Sequence, residues 1–205
     1  YEYGLRACGP AHYGPVRYAA GTGMTDGLSL SGKELVMEMD RLKMILDVTH
    51  LTDKGFTEAT SLFKGPVWAS HHNCRKLVSN QRQLSDDQIK ILLERDSVIG
   101  GVFDTWMLTD NWVRGTDDPK QRGINLEKVV DHYDHICQIA GNSLHIAIGS
   151  DLDGAYGKEQ SPYDLEDISD LQNLRGILAR RGYSSGDIEN IFHKNWLRFL
   201  KRAWA

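Results

Sequence analysis

The chain has 205 residues, 40% of them apolar and 25% charged, and a net charge of −4. This is the balance of a globular protein; it excludes a disordered tail or a collagen-like chain and, with no basic block, argues against a dedicated nucleic-acid binder. The length points to one domain over residues 1–205. No stretch approaches ~18 uninterrupted apolar residues, so no membrane span is expected. The start Tyr1-Glu2-Tyr3-Gly4 has neither the basic nor the apolar region of a secretory signal. Cys8, Cys74 and Cys137 are far apart with no C-x-x-C, which argues against a disulfide scaffold or a thiolate zinc site and favours a reducing, cytoplasmic setting.

In chain order, a weak strand is expected over Gly4 to Ala11. Ser31-Gly32-Lys33-Glu34 has the pattern of a capping box, and Leu35, Val36, Met39 and Leu42 follow at helical spacing. Met44 to Val48 reads as a strand and Asp53 to Phe63 as a short helix. A strand follows at Val67 to Ala69. Ser85-Asp86-Asp87-Gln88 repeats the capping device before Ile89, Ile91, Leu92 and Leu93. Val98 to Phe103 is a strand, and Leu108 to Gly123, with Gly115 and Pro119, a long loop. Leu126 to Ala140 is a periodic helix that ends at Gly141. Leu144 to Ile148 is the last strand. From Ser185 to Trp204, Ile188, Ile191, Phe192, Trp196, Phe199 and Leu200 share a helical stripe. Alternating strands and helices predict an α/β fold with a parallel sheet, its strands nearly continuous apolar runs because helices cover them.

Several strands end in residues that can do chemistry. The run Met44 to Thr49 leads to His50, Pro66 to Ser70 to His71, and His145 to Ser150 to Asp151; the weak first strand leads to His12. In a parallel barrel such ends share one mouth. Neutral imidazole and carboxylate suit Zn²⁺, and a bound metal lowers the pKa of water toward ~7. A single histidine after a strand is more often a capping or surface group; two histidines and an aspartate on the same side shift that balance. His72 faces away from His71 on the pleat. His132, in His132-Tyr133-Asp134, falls within a helical pattern and reads as part of a solvated face, as do His135, His145 and His193. Arg82, in the loop before Ser85, is placed to hold a carboxylate bidentately.

Together these strings resemble the membrane (renal) dipeptidase family of zinc peptidases, family M19, within the amidohydrolase superfamily. The resemblance is carried by Glu38 to His50, Gly65 to Arg75, Arg82 to Ile89, Val98 to Val102, Ile148 to Gly154, and Asn195-Trp196-Leu197-Arg198. It implies a TIM-type (β/α)8 barrel, of which this chain supplies about strands 4–8 and the C-terminal helices. It also implies a metal-dependent dipeptidase with two zinc ions, in which a metal-activated hydroxide attacks the peptide carbonyl. By resemblance, His50 and His71 ligate one zinc. Asp151 ligates the other and handles the proton of the attacking water. His12 steadies the tetrahedral intermediate, and Arg82 holds the substrate's terminal carboxylate. Family members are often homodimers, and no membrane anchor is indicated by the tail Leu200 to Ala205.

Runs ending at His12, His50, His71, Asp104 and Asp151 make five strands of the family's eight. The family's H-x-D metal pair and its bridging glutamate lie on the other three. The chain alone is therefore expected to bind metal weakly and to be inactive without the missing N-terminal strands or a chain that supplies them. The alternative is a non-catalytic remnant or subunit that needs a partner chain. A third reading, lactone or phosphoester hydrolysis, is disfavoured by Arg82. Lys194 stands where the family more often has glycine, and Thr49 where it has serine.

Overall fold

Five strands form a parallel array in chain order, described by a computed structural model of residues 1–205. They are β1 (Ala7–Cys8), β2 (Ile45–Asp47), β3 (Val67–Trp68), β4 (Ile99–Gly101) and β5 (Ile146–Ile148). Ala7 lies opposite Ile45, Leu46 opposite Val67, and Ile99 opposite Ile146. An Ala69–Ile99 bridge joins β3 to β4. There Gly100 N donates to Ala69 O (2.8 Å) and His72 N to Gly100 O (2.7 Å). Parallel neighbours require crossover connections, and helices fill them.

The helices are α1 (Leu30–Arg41), α2 (Asp53–Leu62), α3 (Asp86–Glu94), α4 (Leu126–Ala140), α5 (Asn173–Arg180), α6 (Ser185–Glu189) and α7 (Asn195–Ala203). Ser85 closes a reciprocal capping box with Gln88, as its spacing predicts. Gly141 ends α4 at φ 69°. Two expectations need correction. Helix α1 is capped by Ser29, not Ser31: Ser29 is extended, and its Oγ accepts from Gly32 N (3.0 Å) while donating to Arg17 O. Helix α5 is not among the elements expected from the sequence. Its start signal, the Asp167/Asp170 box, opens a 3-10 turn at Ile168–Gln172, so the helix begins at Asn173 with no side-chain cap.

Alternation along the strands sends side chains to two apolar clusters. Leu46, Val67, Ile99 and Ile146 join a core of 33 buried residues beneath the helices. Ile45, Val98 and Ala147 face the other way and pack on Phe199. Helix α7 closes that second face, with Trp68 ring-to-ring at 5.5 Å from Trp196 and 5.6 Å from Phe199. Asn195 fixes the helix there by donating to Ser143 O and Ile146 O (2.7 and 2.8 Å). Cover on both faces explains why the strands read as continuous apolar runs.

His132 is not on a solvated face. It is buried on α4, and its Nδ1 accepts from Cys74 N (3.1 Å). His135 meets Asp86 (2.8 Å), and His145 Nδ1 donates to Ser97 O (2.9 Å); only His193 is largely exposed, with Glu189 at 3.6 Å. No helix is long and apolar enough to cross a membrane.

Candidate metal and substrate site

Parallel strands deliver their C-terminal ends to one side, and the candidate residues meet there. Gly100 and Gly149 make this close meeting possible: a Cβ on either would run into the Ser70 carbonyl and the other glycine's backbone. His50 lies three residues beyond β2 and Asp151 three beyond β5. Both hold left-handed backbone conformations, at φ 67° and 58°. Side chains with a Cβ rarely adopt this geometry, and it recurs where packing aims a functional group.

His50 Nε2 and His71 Nε2 are 3.3 Å apart. Asp151 Oδ1 is 3.9 Å from His71 Nε2. The His12 ring centre is 4.5 Å from that of His50, but His12 sits on an exposed loop four residues past β1 rather than at a strand end. Arg82 does not lie in solvent. It is 2% exposed, its Nη2 donates to His71 O (3.0 Å), and its Nη1 lies against both ring nitrogens of His72 (3.2 and 3.3 Å). Its Nε has no partner, and no carboxylate pairs with it. Contact with both nitrogens at once places the guanidinium against the imidazole as a packed neighbour, so the face turned from His71 serves Arg82.

Each imidazole is held from behind. His50 Nδ1 is 2.9 Å from Thr22 Oγ1, and His71 Nδ1 is 2.9 Å from Ser70 Oγ. Ser70 Oγ is in turn 3.1 Å from Thr49 Oγ1, and Asp47 Oδ1 accepts from the backbone N–H of Thr49 and Ser70. Such partners orient ligating histidines. Burial first, then the nearby Arg82 cation, pushes His50 down to about 2 and His71 to about 4, so both are neutral donors at pH 7. Burial lowers Arg82 to about 10 and raises Asp151 to about 6.

A metal ion fits this donor set. Two nitrogens at ~2.0–2.1 Å from a tetrahedral ion are about 3.3 Å apart, the separation found. Each Nδ1 contacts a hydroxyl and both Nε2 atoms turn to one point; in the tautomer that places the proton on Nδ1, a cation there would meet two lone pairs. No group of three or more His, Cys, Asp or Glu surrounds one point. The chain thus brings two imidazoles to this position, whereas catalytic zinc usually has three protein ligands.

Four participants carried no assigned role in the sequence. Asp104 ends its strand run with the same signal as Asp151; it is buried and accepts from Gln160 Nε2 (2.7 Å), Arg114 Nη2 (3.2 Å) and Trp106 N (3.3 Å). Ser70 and His72 flank His71, so only their contacts distinguish them. Thr22 lies in a stretch without periodicity and gave no signal.

Known proteins resemble the chain in sequence and fold. A protein from the pqqA 5′ region of Klebsiella pneumoniae, itself uncharacterised, is 31% identical over 212 residues, which cover all of this chain and 74% of that one. Dipeptidase tcpJ of Claviceps purpurea is 31% identical over 180 residues, 86% of this chain and 39% of its own. A metallo peptidase from Rhodobacter sphaeroides, solved with a phosphinate mimic of the dipeptide L-Ala-D-Ala, superposes with a TM-score of 0.86 at 30% identity. That match covers 99% of this chain and 57% of the solved one, so the chain spans a little over half the length of that structure. Residues 1–204 match the membrane dipeptidase family throughout, and the chain belongs to it: peptidase family M19.

Proposed function

We propose that residues 1–205 form one domain carrying part of a zinc-dependent dipeptidase site, on about strands 4–8 of a (β/α)8 barrel. The observation that carries this reading is the His50–His71 pair, with Nε2 atoms 3.3 Å apart and a hydroxyl behind each ring. His50 and His71 would hold one metal and Asp151 a second. A metal bound there would supply a water of pKa ~7 and polarisation of the peptide carbonyl. Arg82, a buried cation with no carboxylate of its own, would receive the substrate's terminal carboxylate. Leaving a buried charge unpaired is costly, and an incoming carboxylate removes that cost. Asp151, raised to about 6 by burial, is suited to take a proton from attacking water and pass it to the leaving amine. His12, beside His50 at the exposed mouth, would donate to the developing oxyanion. The free cysteines favour a reducing, cytoplasmic setting.

A second reading, a non-catalytic chain that needs a partner, is favoured by the count of two protein ligands. One experiment tests the site and its two-ligand limit: zinc content and dipeptide turnover of the 205-residue chain, alongside His50→Ala and His71→Ala. Weak zinc binding that either substitution abolishes, with little turnover, is the expected result. Turnover comparable to a full-length relative would refute the two-ligand limit, and zinc binding indifferent to both substitutions would refute the site.

A further inference from the structure

We propose that the cavity beside His50 is a side-chain subsite for a carboxylate, so that the preferred substrates are dipeptides with an aspartate or glutamate residue. This rests on the dipeptidase reading above. The cavity holds about 380 Å³, and Tyr13, Thr22, Gln81, Trp106 and Arg114 are among its wall residues, none of which is acidic. It adjoins the proposed chemistry on two sides. Thr22 is the hydroxyl behind His50, Tyr13 lies with its ring centre 5.0 Å from that of His50, and Gln81 directly precedes Arg82.

Arg114 supplies the charge. Its guanidinium donates one N–H to Asp104 (3.2 Å) and lies 5.6 Å from the Trp106 ring centre; its other N–H groups have no protein acceptor. Asp104 is buried, and Gln160 and the Trp106 backbone also hold it, so it anchors Arg114 without occupying the whole fork. A guanidinium held this way keeps donors for a second carboxylate. Trp106 Nε1 and Gln81 Nε2 have no acceptor but are shielded from the cavity, so Arg114 carries the charge recognition. The Tyr13 and Trp106 rings offer apolar surface to the methylenes of an acidic side chain. A cationic side chain would meet Arg114 as a like charge.

The test uses phosphinate mimics of Ala-Glu, Glu-Ala, Ala-Gln and Gln-Ala, which cannot be hydrolysed, titrated calorimetrically into the protein with Zn²⁺ present. At least one acidic mimic should bind about tenfold or more tighter than its amide counterpart and shift the Trp106 indole N–H resonance, assigned with Trp106→Phe. Arg114→Met should bring that acidic mimic to within about twofold of its amide, and Arg114→Lys should restore part of the preference. Equal binding of acid and amide to the wild type, or a preference that survives Arg114→Met, would overturn the subsite and leave the dipeptidase reading standing. If none of the four mimics binds, the subsite falls, and the dipeptidase reading is decided separately by the zinc binding of His50→Ala and His71→Ala.

Discussion

Protonation of His132 should cost this fold stability in a defined pH window. His132 is buried on α4, its Nδ1 accepts from Cys74 N, and burial first, then nearby His135 and Lys128, pushes its pKa from 6.5 down to about 3. As pH falls below 6.5 the unfolded chain takes up a proton that the folded chain refuses until pH ~3. The unfolded state therefore binds more protons in that window, and stability falls with pH by ~1.4 kcal/mol per unit, about 5 kcal/mol across it. His132→Asn keeps an acceptor near Cys74 N but removes the titration. Near pH 7.5 the variant should be less stable by about 1–3 kcal/mol, from lost ring volume and a poorer hydrogen bond. Between pH 6.5 and 4.5 that deficit should shrink by ~1.4 kcal/mol per unit, so that the variant equals or exceeds the wild type at the acid end. Urea unfolding at half-unit pH steps measures the difference directly, because His50, His71 and His72 are common to both proteins and cancel. A difference between the two that does not change with pH would refute the reasoning.

Thr22→Val and Ser70→Ala each remove the hydroxyl behind one imidazole and should weaken zinc binding about 10–100-fold, read by competition with a chelating dye; undiminished affinity in both would show that the hydroxyls do not orient the ligands. Gly100→Ala should destabilise the protein by about 1–3 kcal/mol or more, because its Cβ would meet the Ser70 carbonyl and the Gly149 backbone; thermal unfolding tests this, with Gly141→Ala as a control that has φ strain but open space around the Cβ. Ser85→Ala removes a closed capping box and should cost ~1 kcal/mol in the same assay, whereas Ser31→Ala, inside α1, should cost far less.

The elements were legible where their signals are local. The apolar runs around Ile45, Val67, Ile99 and Ile146, the Ser85 box and the Gly141 cap all act within a few residues, and each stands where the sequence places it. His50, His71 and Asp151 were legible for the same reason, since each follows a strand run directly and parallel strands turn their ends to one side. Polarity alone misled at His132. A helix pattern shows a histidine's angular position but not whether a backbone N–H waits on the facing element, and Cys74 is 58 residues away. Distance in sequence also hid Thr22, which is 28 residues from His50, and the burial of Arg82 against His72. Sequence by itself determined the family, the order of the strands and the residue types at their ends, because these depend on local pattern and on motif strings. Only the tertiary structure decided that two imidazoles stand 3.3 Å apart, that hydroxyls hold them from behind, and that a buried guanidinium keeps an N–H without a partner, because each is set by packing between segments that the chain brings together only on folding.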